Sequence, residues 1–62
     1  MDSWYLAQVG DMLVSLDPPS DLTGWTFDLE GGVWWKIFTH GMSKPNVECL
    51  IVRKQFVSER FL

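Results

Sequence analysis

The sequence predicts a mainly β fold, a small antiparallel sheet or barrel of four to five strands, and three observations carry that reading. Residues 25–29 and 33–38 are apolar-rich runs flanking Glu30-Gly31-Gly32, the pattern of a β-hairpin. Met12, Val14 and Leu16 alternate with Asp11, Leu13 and Ser15. Residues 47–57 form a third β-rich run before the chain closes with Ser58 to Leu62.

Taken in order, residues 3–16 admit two readings. As strands, residues 4–8 and 11–16 are joined at Val9-Gly10, and Gly10-Asp11 is good turn chemistry. As a helix, Tyr5, Leu6, Val9, Met12, Leu13 and Leu16 share an arc, with Ser3 as a cap and Pro18-Pro19 as a stop. Val9, Gly10, Asp11 and Val14 are poor interior helix residues, so the strand reading is preferred. The alternative fold is α+β, with a helix over 3–16 on a three-stranded antiparallel meander. Residues 17–24 read as a loop, because Pro18-Pro19 withholds two ladder donors and Asp17, Ser20, Asp21 and Gly24 are turn formers. Residues 41–46 read as a second loop. The strand from Val47 to Val57 is expected to bend or break near Lys54, and residues 58–62 either add one helical turn or trail off.

The hairpin register follows from keeping charge out of the core. A two-residue loop at Gly31-Gly32 sets Lys36 among Trp25, Phe27 and Leu29, leaving it buried and unpaired. A three-residue loop with Gly32 left-handed in a G1 bulge pairs Leu29 with Val33, Phe27 with Trp35 and Trp25 with Ile37. This register makes one face wholly apolar: Trp25, Phe27, Leu29, Val33, Trp35 and Ile37. Trp34 and Phe38 then point the other way, with Thr26, Asp28 and Lys36.

Length and composition bound the function. The 62 residues make one domain, 1–62, of a size that buries only about 60% of its unfolded surface. Four Trp, four Phe and one Tyr exceed the interior positions of so small a body, so some rings are expected at the surface as a contact patch. The lone Cys49 has no disulfide or metal partner and suggests a reducing compartment. No basic leader or long apolar run is present, so a cytoplasmic protein without membrane association is expected, and the start at Met1 suggests a complete small gene product. Charge is uneven: residues 1–32 carry six acids and no Lys or Arg, whereas residues 33–62 carry five Lys or Arg and two acids, for a net −3. Interleaved halves would form ordinary surface ion pairs.

Gly10-Asp11-Met12-Leu13-Val14-Ser15-Leu16, then Val33-Trp34-Trp35-Lys36, a glycine-bearing turn, and Gln55-Phe56-Val57 resemble the diverging-turn strand, double-Trp strand and closing aromatic-Val segment of Src-homology-3-like small β-barrels. The resemblance covers about half the chain. Only nine residues precede Gly10, the gap from Leu16 to Trp34 is long, and Arg53-Lys54-Gln55 stands where the family has a proline before the final aromatic. It therefore implies the barrel class rather than the peptide-binding family proper. By the resemblance, Trp34 and Phe56 line a ligand groove.

No catalytic, cofactor or metal constellation stands out. His40 is the only histidine and has no nucleophile motif beside it, Asp28 and Glu30 are one acidic pair without further ligands, and Gly31-Gly32 lacks phosphate-loop spacing. The expected function is a non-enzymatic protein-interaction module, an adaptor or inhibitor of the kind phages and mobile elements encode. Its contact residues are Trp34, Phe38 and Phe56, rimmed by Lys36, Arg53 and Lys54. The alternatives are a single-stranded nucleic-acid-binding barrel, against which the net charge argues, and a structural homo-oligomer subunit.

Overall fold

The computed structural model describes residues 6–45 and 47–62. The fold is mainly β, in two antiparallel sheets: β3 (Thr26–Asp28), β4 (Val33–Ile37), β2 (Met12–Ser15) and β6 (Leu50–Val52) lie side by side in that order, and β1 (Ala7–Gln8) pairs with β5 (Met42–Ser43). Among the described residues the strands form small sheets and do not close into a barrel.

The two sheets share chain segments and meet at a corner. Gly10 and Asp11 together oppose Phe38: the Gly10 N–H donates to the Phe38 carbonyl at 2.9 Å, and the Phe38 N–H donates to the Asp11 carbonyl at 2.8 Å. Gly10 has φ of 97°, and the Asp11 N–H closes a turn on the Gln8 carbonyl at 2.9 Å. This is a G1 bulge, in which a glycine with positive φ adds one residue to a strand and bends it. The positive φ also excludes a helix through residues 3–16. In place of that alternative, β1 and β2 form; residues 3–5 of both readings lie outside the described residues.

The hairpin between β3 and β4 forms, in a register different from the one expected. Thr26 pairs with Trp35, Phe27 with Trp34 and Asp28 with Val33, leaving Leu29 to Gly32 as a four-residue loop. Two contacts from Asp28 hold it. Its carbonyl accepts the Gly32 N–H at 2.7 Å, and its carboxylate accepts the Glu30 N–H at 3.3 Å. Gly32 does take positive φ, 68°. Leu29 is consequently a solvent-facing loop residue rather than core, and Phe27 leaves the side of Trp35.

Alternation assigns two faces to the large sheet. Met12 and Val14 of β2, Val33, Trp35 and Ile37 of β4, Leu50 and Val52 of β6, and Thr26 and Asp28 of β3 share the first face. Phe27, Trp34, Lys36, Leu13, Ser15 and Ile51 share the second. The expected opposition of Trp34 to Phe27 is thus overturned. Lys36 does stand beside the aromatic rings, the arrangement that charge burial argued against. It stays half-buried with its stem along Gly24, where a β-carbon would lie 3.7 Å from both Cε and Nζ. An apolar stem can cover rings while its ammonium reaches water.

The C-terminal segment closes the first face. Of the expected strand over 47–57 only β6 pairs as a strand among the described residues. The chain then breaks into a 3₁₀ turn at Lys54–Phe56, and a second turn forms at Glu59–Phe61. Phe61 sets its ring edge-on to Trp35 with centroids 4.8 Å apart. Arg60 donates to the Asp28 carboxylate at 2.8 Å and also to Glu30, so an acid-rich first half and a basic second half do interleave. The segment therefore crosses from the β6 edge, over β4, to the end of β3. Beneath it Met12 is buried, as are Leu13 and Ala7 elsewhere in the core.

Asp11 ties the corner to this strap. Its side chain is 0% exposed, yet both oxygens are satisfied: one accepts the Gln8 N–H at 2.9 Å, the other the Lys54 N–H at 2.7 Å. A buried carboxylate is tolerated where backbone donors replace water.

Candidate functional site

The six contact residues read from the sequence fall into two groups, with Phe38 apart from both. Trp34 and Lys36 project from β4 on the second sheet face. Trp34 meets Phe27 at a centroid separation of 5.2 Å, with planes tilted by 59°. Trp34 is half-buried and Phe27 is 42% exposed, so the ring pair is open on the β3 side. Phe27 was missed as a surface residue because the other register would have placed it in the core.

Arg53, Lys54 and Phe56 lie beyond β6, separated from β4 by β2. Phe56 is 72% exposed, while its N–H closes the 3₁₀ turn on the Arg53 carbonyl at 2.8 Å. The Lys54 backbone is held by Asp11, and its stem lies against Gly10. Phe38 sits half-buried at the corner, with its backbone committed to the bulge. The fold thus brings Trp34 and Lys36 together with Phe27, and gathers Phe56, Arg53 and Lys54 at a different edge.

The connection from β2 to β3 borders the Trp34 face. Asp21 accepts the Thr23 N–H at 3.0 Å, and the Trp25 N–H closes a turn on the Leu22 carbonyl at 2.9 Å. That Thr23 N–H, then the Thr23 hydroxyl, holds the Asp21 carboxyl below its ordinary value. The Lys36 charge adds to this, while slight desolvation opposes it. Lys36 is therefore poised between the aromatic rings and an acidic loop.

On the β2–β6 side of the sheet, residues 14–20 and 47–50 line a groove of about 590 Å³. The Ser15 hydroxyl donates to the Asp17 carbonyl at 2.7 Å, turning the chain out of β2 into Pro18-Pro19 on the groove wall. Cys49 lines the groove half-buried, and desolvation raises the pKa of its thiol. The only sequence signal for this groove was the proline pair, which reads first as a strand terminator. Among the described residues, no group of three His, Cys, Asp or Glu is placed to hold a metal ion, and no helix is long and apolar enough to cross a membrane.

Comparison with protein-family models, with curated proteins and with solved structures finds no match to this chain.

Proposed function

We propose that this chain is a small protein-interaction module, an adaptor or inhibitor, whose contact surface is centred on Phe27 and Trp34 with Lys36 at its rim. The observation that carries this reading is the ring pair at the β3 side of the sheet. Phe27 remains 42% exposed against Trp34, whereas the Trp35 ring on the other face is met edge-on by Phe61. Aromatic side chains with few torsions lose little entropy on contact and bury large areas, so a half-open pair next to a cation is a suitable anchor for a partner. The lone Cys49 supports action in the cytoplasm. Kinship with Src-homology-3-like small barrels is part of this proposal on the sequence motifs alone, and the site does not depend on it.

The test is capture from a host lysate at moderate salt, followed by binding of the purified partner. Phe27→Ala and Trp34→Ala are each expected to weaken that binding at least about tenfold, equivalent to about 1.4 kcal/mol, while the circular dichroism spectrum is kept. If either variant binds as tightly as the parent, the aromatic face is not the contact. Phe27→Tyr serves where the alanine variants unfold, since it keeps the packing and adds a hydroxyl at the exposed rim.

A further inference from the structure

We propose a second contact site, distinct from the Phe27–Trp34 face: the outer edge of β6 and the groove beside it take an extended, apolar peptide carrying a basic residue. It extends the interaction reading to another surface, and either site stands without the other. Three features specify the occupant.

The first is a free strand edge. Because the Asp11 carbonyl bonds to Phe38, the odd-numbered residues of β2 turn their backbone groups toward β4 and the even-numbered ones toward β6. Met12 and Val14 thus bond Val52 and Leu50, which leaves the N–H and C=O of Ile51 directed outward. Among the described residues β6 has no neighbour on that side. An unpaired edge is completed by another extended backbone.

The second is the groove wall. Leu50 continues from the edge into the groove and is 49% exposed, and Leu16 across from it is 76% exposed, with Pro18 and Pro19 beside it. A strand laid along the outer edge of β6 sets every second side chain against Leu50, the groove residue that this edge carries, so alternate apolar residues fit.

The third is charge. The charged residues lining the groove are Asp17 and Glu48, both exposed, and neither has an ion-pair partner among the described residues. An extended chain with lysine or arginine between its apolar residues meets them, and an acidic one is repelled.

The probe is a capped heptapeptide, Val-Lys-Val-Lys-Val-Lys-Val, titrated into isotope-labelled protein and compared with its glutamate counterpart. The lysine peptide is expected to shift the amide resonances of Leu16, Leu50, Ile51 and Val52 and to slow hydrogen exchange at Ile51. The paired substitution Asp17→Lys with Glu48→Lys changes two exposed residues, and unchanged circular dichroism verifies its fold. It should weaken the lysine peptide about tenfold and strengthen the glutamate peptide correspondingly. Absence of shifts at millimolar peptide, shifts confined to Phe27 and Trp34, or affinity that ignores the charge swap overturns the proposal. So does a concentration-dependent dimer whose formation alone moves the β6 amides, since it assigns the edge to a second copy. None of these results bears on Phe27→Ala, so the two sites fail separately.

Discussion

The Asp11 carboxylate accepts the Lys54 N–H at 2.7 Å, across 43 residues of sequence. With the Gln8 N–H on its other oxygen, this side chain joins the bulge, the first 3₁₀ turn and the end of β1. Asp11→Ala leaves two buried donors unmatched, and is expected to lower the unfolding free energy by about 2–4 kcal/mol. Asp11→Asn keeps one acceptor and is expected to cost about 1–2 kcal/mol. Urea unfolding monitored by tryptophan fluorescence measures both. Equal midpoints for the parent and Asp11→Ala would show that the clip contributes nothing.

Gly31 and Gly32 are expected to respond to alanine for different reasons. A β-carbon at Gly31 would lie 2.6 Å from the Asp28 carboxylate oxygen that pairs with Arg60, so the carboxylate must move. At Gly32 there is open space, and the cost is the left-handed φ of 68°, about 1 kcal/mol. A double-mutant cycle separates them. Gly31→Ala with Arg60→Ala should be non-additive because both break one contact, while Gly32→Ala with Arg60→Ala should add.

The strap is expected to depend on its ring more than on its charges. Phe61→Ala removes the edge contact with Trp35 and should cost about 2–3 kcal/mol, below the full-burial value because the site is half open. Arg60→Ala should cost under about 1 kcal/mol and lose its effect in high salt, since the Arg60 side chain is 46% exposed. Reversed ranking in thermal unfolding at low and high salt would contradict this ordering.

Asp21 is expected to titrate below the ordinary aspartate value of about 3.9. Thr23→Pro deletes its backbone donor, the largest cause, and should return the midpoint toward that value in a carboxyl-detected titration. Because the folded value is the lower one, the stabilising effect is present above the unfolded value and is lost as pH falls through the folded one. Stability changes from this group are therefore confined to acid, below about pH 4.

The thiol of Cys49 is expected to react with iodoacetamide at neutral pH more slowly than free cysteine, since burial raises its pKa and lowers the thiolate fraction. Urea should restore the rate. A native rate equal to that of free cysteine would place the sulfur in open solvent.

Local chemistry in the sequence located most elements and not their mutual register. Gly10, Gly32 and Pro18-Pro19 marked turns that form, the alternation at Met12 and Val14 marked β2, and the break at Lys54 is where the 3₁₀ turn begins. The hairpin register was misread because it was argued from β3 and β4 alone. In the fold, Trp35 is held by Val14 on one side and covered by Phe61, and Asp28 answers to Arg60. Those partners lie far along the chain and leave no periodic trace. Asp11 was legible as turn chemistry, but its second acceptor role depends on Lys54. The six proposed contact residues were chosen from the sequence by residue type, and their division between the β4 and β6 sides of the sheet was not legible, because strand order is a property of the whole sheet.

The strap crossing from Lys54 to Phe61 also governs the order of assembly. The hairpin can close locally, whereas the Arg60 contacts with Asp28 and Glu30 span 32 and 30 residues and must wait until β2 and β6 have paired. Loop-closure entropy makes such late, distant contacts slow to form, and their loss exposes the Trp35 side before the ladders separate. The lifetime of the native state is accordingly expected to depend on how long this eight-residue segment at its margin stays docked.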